Sequence, residues 1–221
     1  MTFNLMEIFT KEYVKEYFKR NKNLIIISLV ILVLSSIFGV LVSEYIKQTI
    51  MTVLHEMVNN FPRNQGVLEE VIYLFLNNMR VDLMVILFGF FFSVISIAIT
   101  VSNGIIIGFT STLVSPLAFI VGIFPHGIFE LSASVIALTC AFIITKFEIR
   151  IIKGLIDKRV KEAFNDNIFM IKDIILSFIV VFVLLVLAAI IEAGITPILL
   201  RMITWGELCY DDNYYWNSRY W

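Results

Sequence analysis

The chain has 221 residues, of which 59% are hydrophobic and 16% charged, with a net charge of −1 and a mean hydropathy of +0.90. A soluble domain carries about 25% charged residues, and the few charges here leave long runs bare. A soluble enzyme, a disordered tail and a disulfide-stapled secreted module are therefore excluded, and the composition is that of an integral membrane protein. No global basic surface points to nucleic acid. Cys140 and Cys209 make neither a metal-ligand spacing nor a disulfide framework.

In chain order, residues 1–23 form a basic N-terminus, with Lys11, Lys15, Lys19, Arg20 and Lys22 ahead of the first apolar run. Leu24–Val42 is uncharged and about 28 Å long as a helix, enough to cross the hydrocarbon. It exceeds the apolar core of a cleaved signal and reads as a signal anchor. Ile46, Ile50, Val53, Leu54, Met57, Val58 and Phe61 then recur at helical spacing until Pro62. Too little positive charge faces them for a lipid binder, so this helix is expected to pack over the bundle. Val71–Leu76 is too short to span and reads as an outer-surface helix leading into the next crossing.

Leu83–Val101 is the second expected span. Asn103-Gly104 through Gly108 then joins it to a third, Gly104–Phe124, in which Pro116 is expected to introduce a kink. Ser93, Ser96, Ser102, Asn103, Gly104 and Gly108 read as close helix packing, and the small residues Gly104 and Gly108 also make self-association as a dimer or larger ring an expectation. Pro125-His126-Gly127 divides the third span from the fourth, Gly127–Thr145. The mixed-charge loop from Lys146 to Asp173 reads as a solvated helical hairpin, followed by the fifth span, Ile174–Ile191. The tail at 198–221 holds Trp205, Tyr210, Tyr214, Tyr215, Trp216, Tyr220 and Trp221 and reads as an aromatic interface anchor. No internal repeat or low-complexity stretch is present.

The fold expected is all-α, a polytopic bundle of five spans over 24–197 with an outer segment at 43–82. The N-terminus and the 146–173 loop together hold 12 of the 17 basic residues. Five crossings put both on one side, and the positive-inside rule makes that side the cytoplasm, with the C-terminus outside. A four-span count would separate the two basic segments and is rejected.

Against this apolar background four polar features stand out: the pair His126 and Glu130, spaced i,i+4 on one helix face; Glu192 at the outer end of the fifth span; Asn77 and Asn78 before the second; and Asn103. Topology brings the outer ones together, so Asn77, Asn78, His126, Glu130 and Glu192 are expected to form a cluster, with Glu130 hydrogen-bonded to His126 or protonated. Structural glue between helices, at ~0.6 kcal/mol per hydrogen bond, is the commoner role for such residues. A substrate or proton site comes second, and a metal site, drawing on one imidazole and two carboxylates, third. His-Glu-x-x-His, P-loop and Gly-x-Ser-x-Gly motifs are missing, and no nucleophile is visible, so neither catalysis nor a metal or other cofactor is expected.

The set Phe75-Leu76-Asn77-Asn78, Asn103-Gly104 with Gly108, Phe124-Pro125-His126-Gly127-Ile128-Phe129-Glu130-Leu131-Ser132-Ala133, and Ala188-Ala189-Ile190-Ile191-Glu192-Ala193 with Thr196-Pro197 resembles the stage II sporulation protein M (DUF95) family, from about Leu68 to Pro197. The resemblance implies five spans and a non-enzymatic membrane protein. It also implies a scaffold role, since the family's namesake works in a complex with two cell-wall-degrading proteins during engulfment. The partners expected are thus the lipid bilayer, further copies of the chain and envelope proteins. The competing class is a small channel or transporter running past Glu130, His126 and Glu192. Against it, no inverted repeat is visible, and the cytoplasmic half of each expected span carries almost nothing ionisable.

Overall fold

The structure is a computed structural model and describes residues 5–60 and 66–199. Thr10 starts the first long helix. Its extended backbone (φ −78°, ψ 143°) lets its side-chain oxygen accept from the Tyr13 N–H. Helix α1 (Lys11–Leu41) then runs unbroken through the basic segment and the first apolar run, so the two form one rod. Helix α2 (Ser43–Asn60) follows almost at once and touches the bundle through the fourth helix.

The next elements are α3 (Val67–Leu87), drawn on by a 3₁₀ turn at Phe88–Phe91, then α4 (Val94–Ser111) and the short α5 (Pro116–Gly122). Helices α6 (Phe124–Ile156) and α7 (Val160–Gly194) form a long antiparallel hairpin closed at Asp157–Arg159, where Lys158 takes φ +57°. Five helical stretches are long and apolar enough to cross a membrane: Lys11–Leu41, Val67–Phe91, Val94–Ser111, Phe124–Ile156 and Val160–Leu199. Among the described residues no strand is present.

Helix α6 is the axis of the bundle. It is apolar on most sides, and Ala133, Ala137, Leu138, Cys140 and Ala141 are wholly covered, the pattern of a helix surrounded by others. It packs most extensively on α7, and α1 and α3 also lie against it. The outward faces stay apolar: Ile26, Ile27, Leu34 and Phe38 of α1 are about half exposed, as lipid contact requires.

Small residues set the helix separations. An added methyl group at Gly39 would overlap the Ile105 backbone, at Gly104 the Ser35 side chain, and at Gly108 the Ser36 carbonyl. Close approach of α1 and α4 thus depends on these three glycines. Gly104 and Gly108 are buried in this contact within one chain, so they offer no surface to a second copy, and that ground for self-association falls away.

The number of long apolar helices agrees with the sequence reading, but the chain is divided differently. The expected span Leu83–Val101 straddles a turn at Phe92–Ser93, where both residues take the left-handed conformation (φ +52° and +57°). Ser93 bonds to the Thr145 hydroxyl, which donates to the Gly89 carbonyl, tying the turn to α6. The expected span Gly104–Phe124 straddles the end of α4, and Asn103 lies inside that helix rather than in a connection. Val71–Leu76 is part of α3, not a separate surface helix. Pro116 does not kink a span but opens α5, where its missing N–H costs no bond. The cause is common to all four. The turn is made of apolar residues (Phe90, Phe91 and Phe92 are more than half exposed), while polar Asn77, Asn78 and Asp82 sit within α3, so hydropathy marked the wrong boundaries.

Candidate functional site

Hydrogen bonds between helices give their relative directions. Ser134 donates to Asp82 and Thr145 to the Gly89 carbonyl, so α3 and α6 run parallel. Arg150 donates to Asn167 and His126 pairs with Thr196, so α7 runs back along α6. The start of α6, the upper part of α3 and the end of α7 therefore share one end of the bundle.

At that end His126, Glu130 and Glu192 meet. One ring nitrogen of His126 and one oxygen of each carboxylate lie within 4.8 Å of one another. The i,i+4 spacing on α6 supplies the first two, and the antiparallel return of α7 supplies the third. His126 is buried, and Glu130 and Glu192 are partly buried. The expected hydrogen bond between His126 and Glu130 is not made. Instead Nδ1 of His126 lies 3.4 Å from the Thr196 hydroxyl, which gives its own proton to the Ile191 carbonyl at 3.3 Å. With the Thr196 proton assigned to that carbonyl, Nδ1 is the donor and Nε2 keeps the lone pair. Among the described residues no hydrogen bond reaches either glutamate.

A further acid that the sequence reading passed over stands beside them. Asp82 is 2% exposed, and Ser134, one turn after Glu130, donates to its Oδ1 at 3.0 Å. Its Oδ2 is buried with no hydrogen-bond partner among the described residues. It is close enough to Glu130 for their charges to interact directly. Asn78, one turn earlier on the same face of α3, is level with Glu130 by register, whereas Asn77 points about 100° away. Neither asparagine makes a hydrogen bond to the triad. The signal for Asp82 was present as the i,i+4 pair Asn78/Asp82.

The site is thus rich in carboxyl groups and poor in donors. Two ionised carboxylates within 4.8 Å repel by about 3 kcal/mol or more at an effective dielectric of 20. The arrangement can relieve this by holding a proton or a cation.

The opposite end of the bundle carries a second polar cluster, just beyond the ends of the expected spans Leu24–Val42 and Ile174–Ile191. Asp173, 1% exposed on α7, accepts from Arg20 (Nε 3.0 Å, Nη2 2.6 Å), from Asn21 at 3.0 Å and from the Tyr13 hydroxyl at 2.9 Å. The Arg20 guanidinium also stacks over the rings of Tyr13 and Phe169 at 5.5 and 5.1 Å. One turn on, Tyr17 and Ser177 share a 2.7 Å hydrogen bond. Here every carboxylate oxygen is paired, and the cluster reads as a fastening of α1 to α7. The two clusters are nineteen residues apart on α7, about 28 Å, the thickness of a bilayer core.

Comparison with known proteins places the chain. An uncharacterized protein of Methanocaldococcus jannaschii is 37% identical over 95 residues, 42% of this chain and 50% of the relative. The chain thus matches about half the length of that relative. No solved structure matches the chain. The family model of stage II sporulation protein M matches residues 28–197, which runs from within the first long apolar helix into the last and includes the His126–Glu130–Glu192 site. The chain belongs to the stage II sporulation protein M family.

Proposed function

We propose that this protein is a non-catalytic membrane scaffold for an envelope complex, lying in the cell membrane with its N-terminus and the Asp157–Arg159 turn in the cytoplasm. The observation that supports this reading best is the sealed middle of the bundle. Between the two polar ends, Val85, Leu138, Val181 and Leu185 are at most 1% exposed and interlock with Ala137, Cys140 and Ala141. Such a core fixes the helices without offering a path. Helix α2, whose main contact with the bundle is α4, is the element best placed to meet a partner outside the membrane. The family resemblance adds cell-wall-degrading proteins as the class of partner. Co-purification of such proteins with the full chain, lost when residues 43–66 are trimmed, supports the scaffold. Their retention after trimming demotes it.

A second reading, a small cation or proton carrier, is favoured by the donor-poor carboxylates at Glu130, Glu192 and Asp82. Flux measured in proteoliposomes separates the two. Flux that Glu130→Gln abolishes would displace the scaffold, and no flux in either protein would remove the carrier.

A further inference from the structure

We infer that His126, Glu130 and Glu192 form a binding site for one first-row divalent metal ion, pinning the start of α6 to the end of α7. This goes beyond the scaffold reading and does not depend on it. Three ligand atoms, one imidazole nitrogen and two carboxylate oxygens, already lie within 4.8 Å of one another, contributed by two helices that the fold holds side by side. A cation entering between them would need only small rotamer changes to draw them in to coordination distance.

The chemistry of the donors selects the class of ion. Two carboxylates bring two negative charges, which a divalent ion cancels within an apolar bundle. An imidazole ligand favours Zn²⁺, Fe²⁺ or Mn²⁺ over Mg²⁺ and Ca²⁺, and the lack of a thiolate in the triad disfavours Cu⁺. The surroundings also match those of metal ligands. The contact of His126 Nδ1 with Thr196, whose hydroxyl reaches the Ile191 carbonyl, holds the ring, as outer partners of ligating histidines do.

A second, independent observation points the same way. Asp82 is almost wholly buried, is anchored by Ser134 through one oxygen, and leaves the other oxygen unpartnered one turn below Glu130. It lies outside the 4.8 Å group. Its free oxygen is suited to accept a hydrogen bond from water on the ion, because three protein ligands leave coordination positions open. The unused acceptors on Glu130, Glu192 and Asp82 thus gain a single explanation. The Asp173 cluster needs no ion, since its carboxylate already has a guanidinium and two further donors.

The test uses the full chain purified in detergent, stripped with EDTA and titrated separately with Zn²⁺ and Mn²⁺. Elemental analysis after desalting is expected to give one ion per chain. Glu130→Gln and Glu192→Gln, each close in shape to the residue replaced, are expected to weaken binding at least tenfold, and His126→Ala likewise. His55→Ala, which removes the other histidine, is expected to leave binding unchanged. X-ray absorption at the zinc edge of the unaltered protein gives a reading that no misfolded variant can blur. One imidazole with oxygen donors and no sulfur is expected. No ion in the unaltered protein, sulfur in the zinc shell, or an unchanged ion content in the Glu130→Gln/Glu192→Gln double variant would overturn the site.

Discussion

Arg20 holds Asp173 through two hydrogen bonds, Nε to Oδ2 at 3.0 Å and Nη2 to Oδ1 at 2.6 Å, across 153 positions of sequence. The carboxylate is 1% exposed and the guanidinium side chain 28% exposed, so neither charge is free to solvate fully if its partner is removed. Arg20→Met and Asp173→Leu are each expected to cost about 3–5 kcal/mol, the range for breaking a buried pair. The double variant is expected to lose less than Arg20→Met alone, because no lone charge remains. Tyr13 would keep the Phe169 carbonyl as an acceptor and Asn21 the Tyr17 carbonyl. Thermal unfolding in detergent, followed by helical circular dichroism, measures all three. A double variant weaker than Arg20→Met would show that the pair does more than satisfy itself.

The glycines of α4 and α7 make opposite demands. At Gly108 an added methyl group would overlap the Ser36 carbonyl, which belongs to backbone and cannot swing aside, whereas at Gly194 nothing among the described residues lies within 4 Å. Gly108→Ala is expected to lose about 1–3 kcal/mol through overpacking. Gly194→Ala is expected to be neutral or to gain up to about 1 kcal/mol from reduced backbone freedom. The same unfolding measurement decides, and equal effects at the two sites would mean that α1 can yield to α4.

Much of this was readable from residue order alone. The helical class, the five long apolar helices and the meeting of His126, Glu130 and Glu192 follow from uncharged run lengths, the i,i+4 spacing and the alternation of direction. What failed was the assumption that a polar residue marks the end of a span. Asp82 and Asp173 are covered by partners lying 52 and 153 residues away, Ser134 and Arg20, and local hydropathy carries no trace of either. The turn at Phe92 was hidden for the converse reason, since its phenylalanines face outward and read as more span.

That turn can be located chemically. In a chain freed of Cys140 and Cys209, a cysteine at position 92 sits in a two-residue left-handed turn between α3 and α4, and one at position 103 sits inside α4. Phe92→Cys is expected to react with a membrane-impermeant maleimide from the same face as Lys158→Cys, because α3 and α6 run parallel and head to the same side. Asn103→Cys is expected to stay unlabelled in intact vesicles. Labelling at position 103 and protection at position 92 would restore the span boundaries read from hydropathy.

The middle of the bundle separates the scaffold from the carrier without touching either charged end. Thr139 of α6 shares its hydroxyl between the Ser28 hydroxyl of α1 at 3.1 Å and its own helix at the Val135 carbonyl, 2.7 Å, and both side chains are fully buried. Thr139→Val keeps the shape and removes the link, for an expected loss of ~0.6 kcal/mol, typical of one hydrogen bond between membrane helices. A frame whose work is done at its outer rim tolerates that loss, so co-purification with envelope partners is expected to be unchanged. A proton or cation crossing the roughly 28 Å between Glu192 and Asp173 would need polar relays in this dry stretch, and for such a protein Thr139→Val would cut flux far more than it cuts stability. Unfolding, partner capture and proteoliposome flux measured on this one variant therefore give a pattern that only one of the two readings can produce.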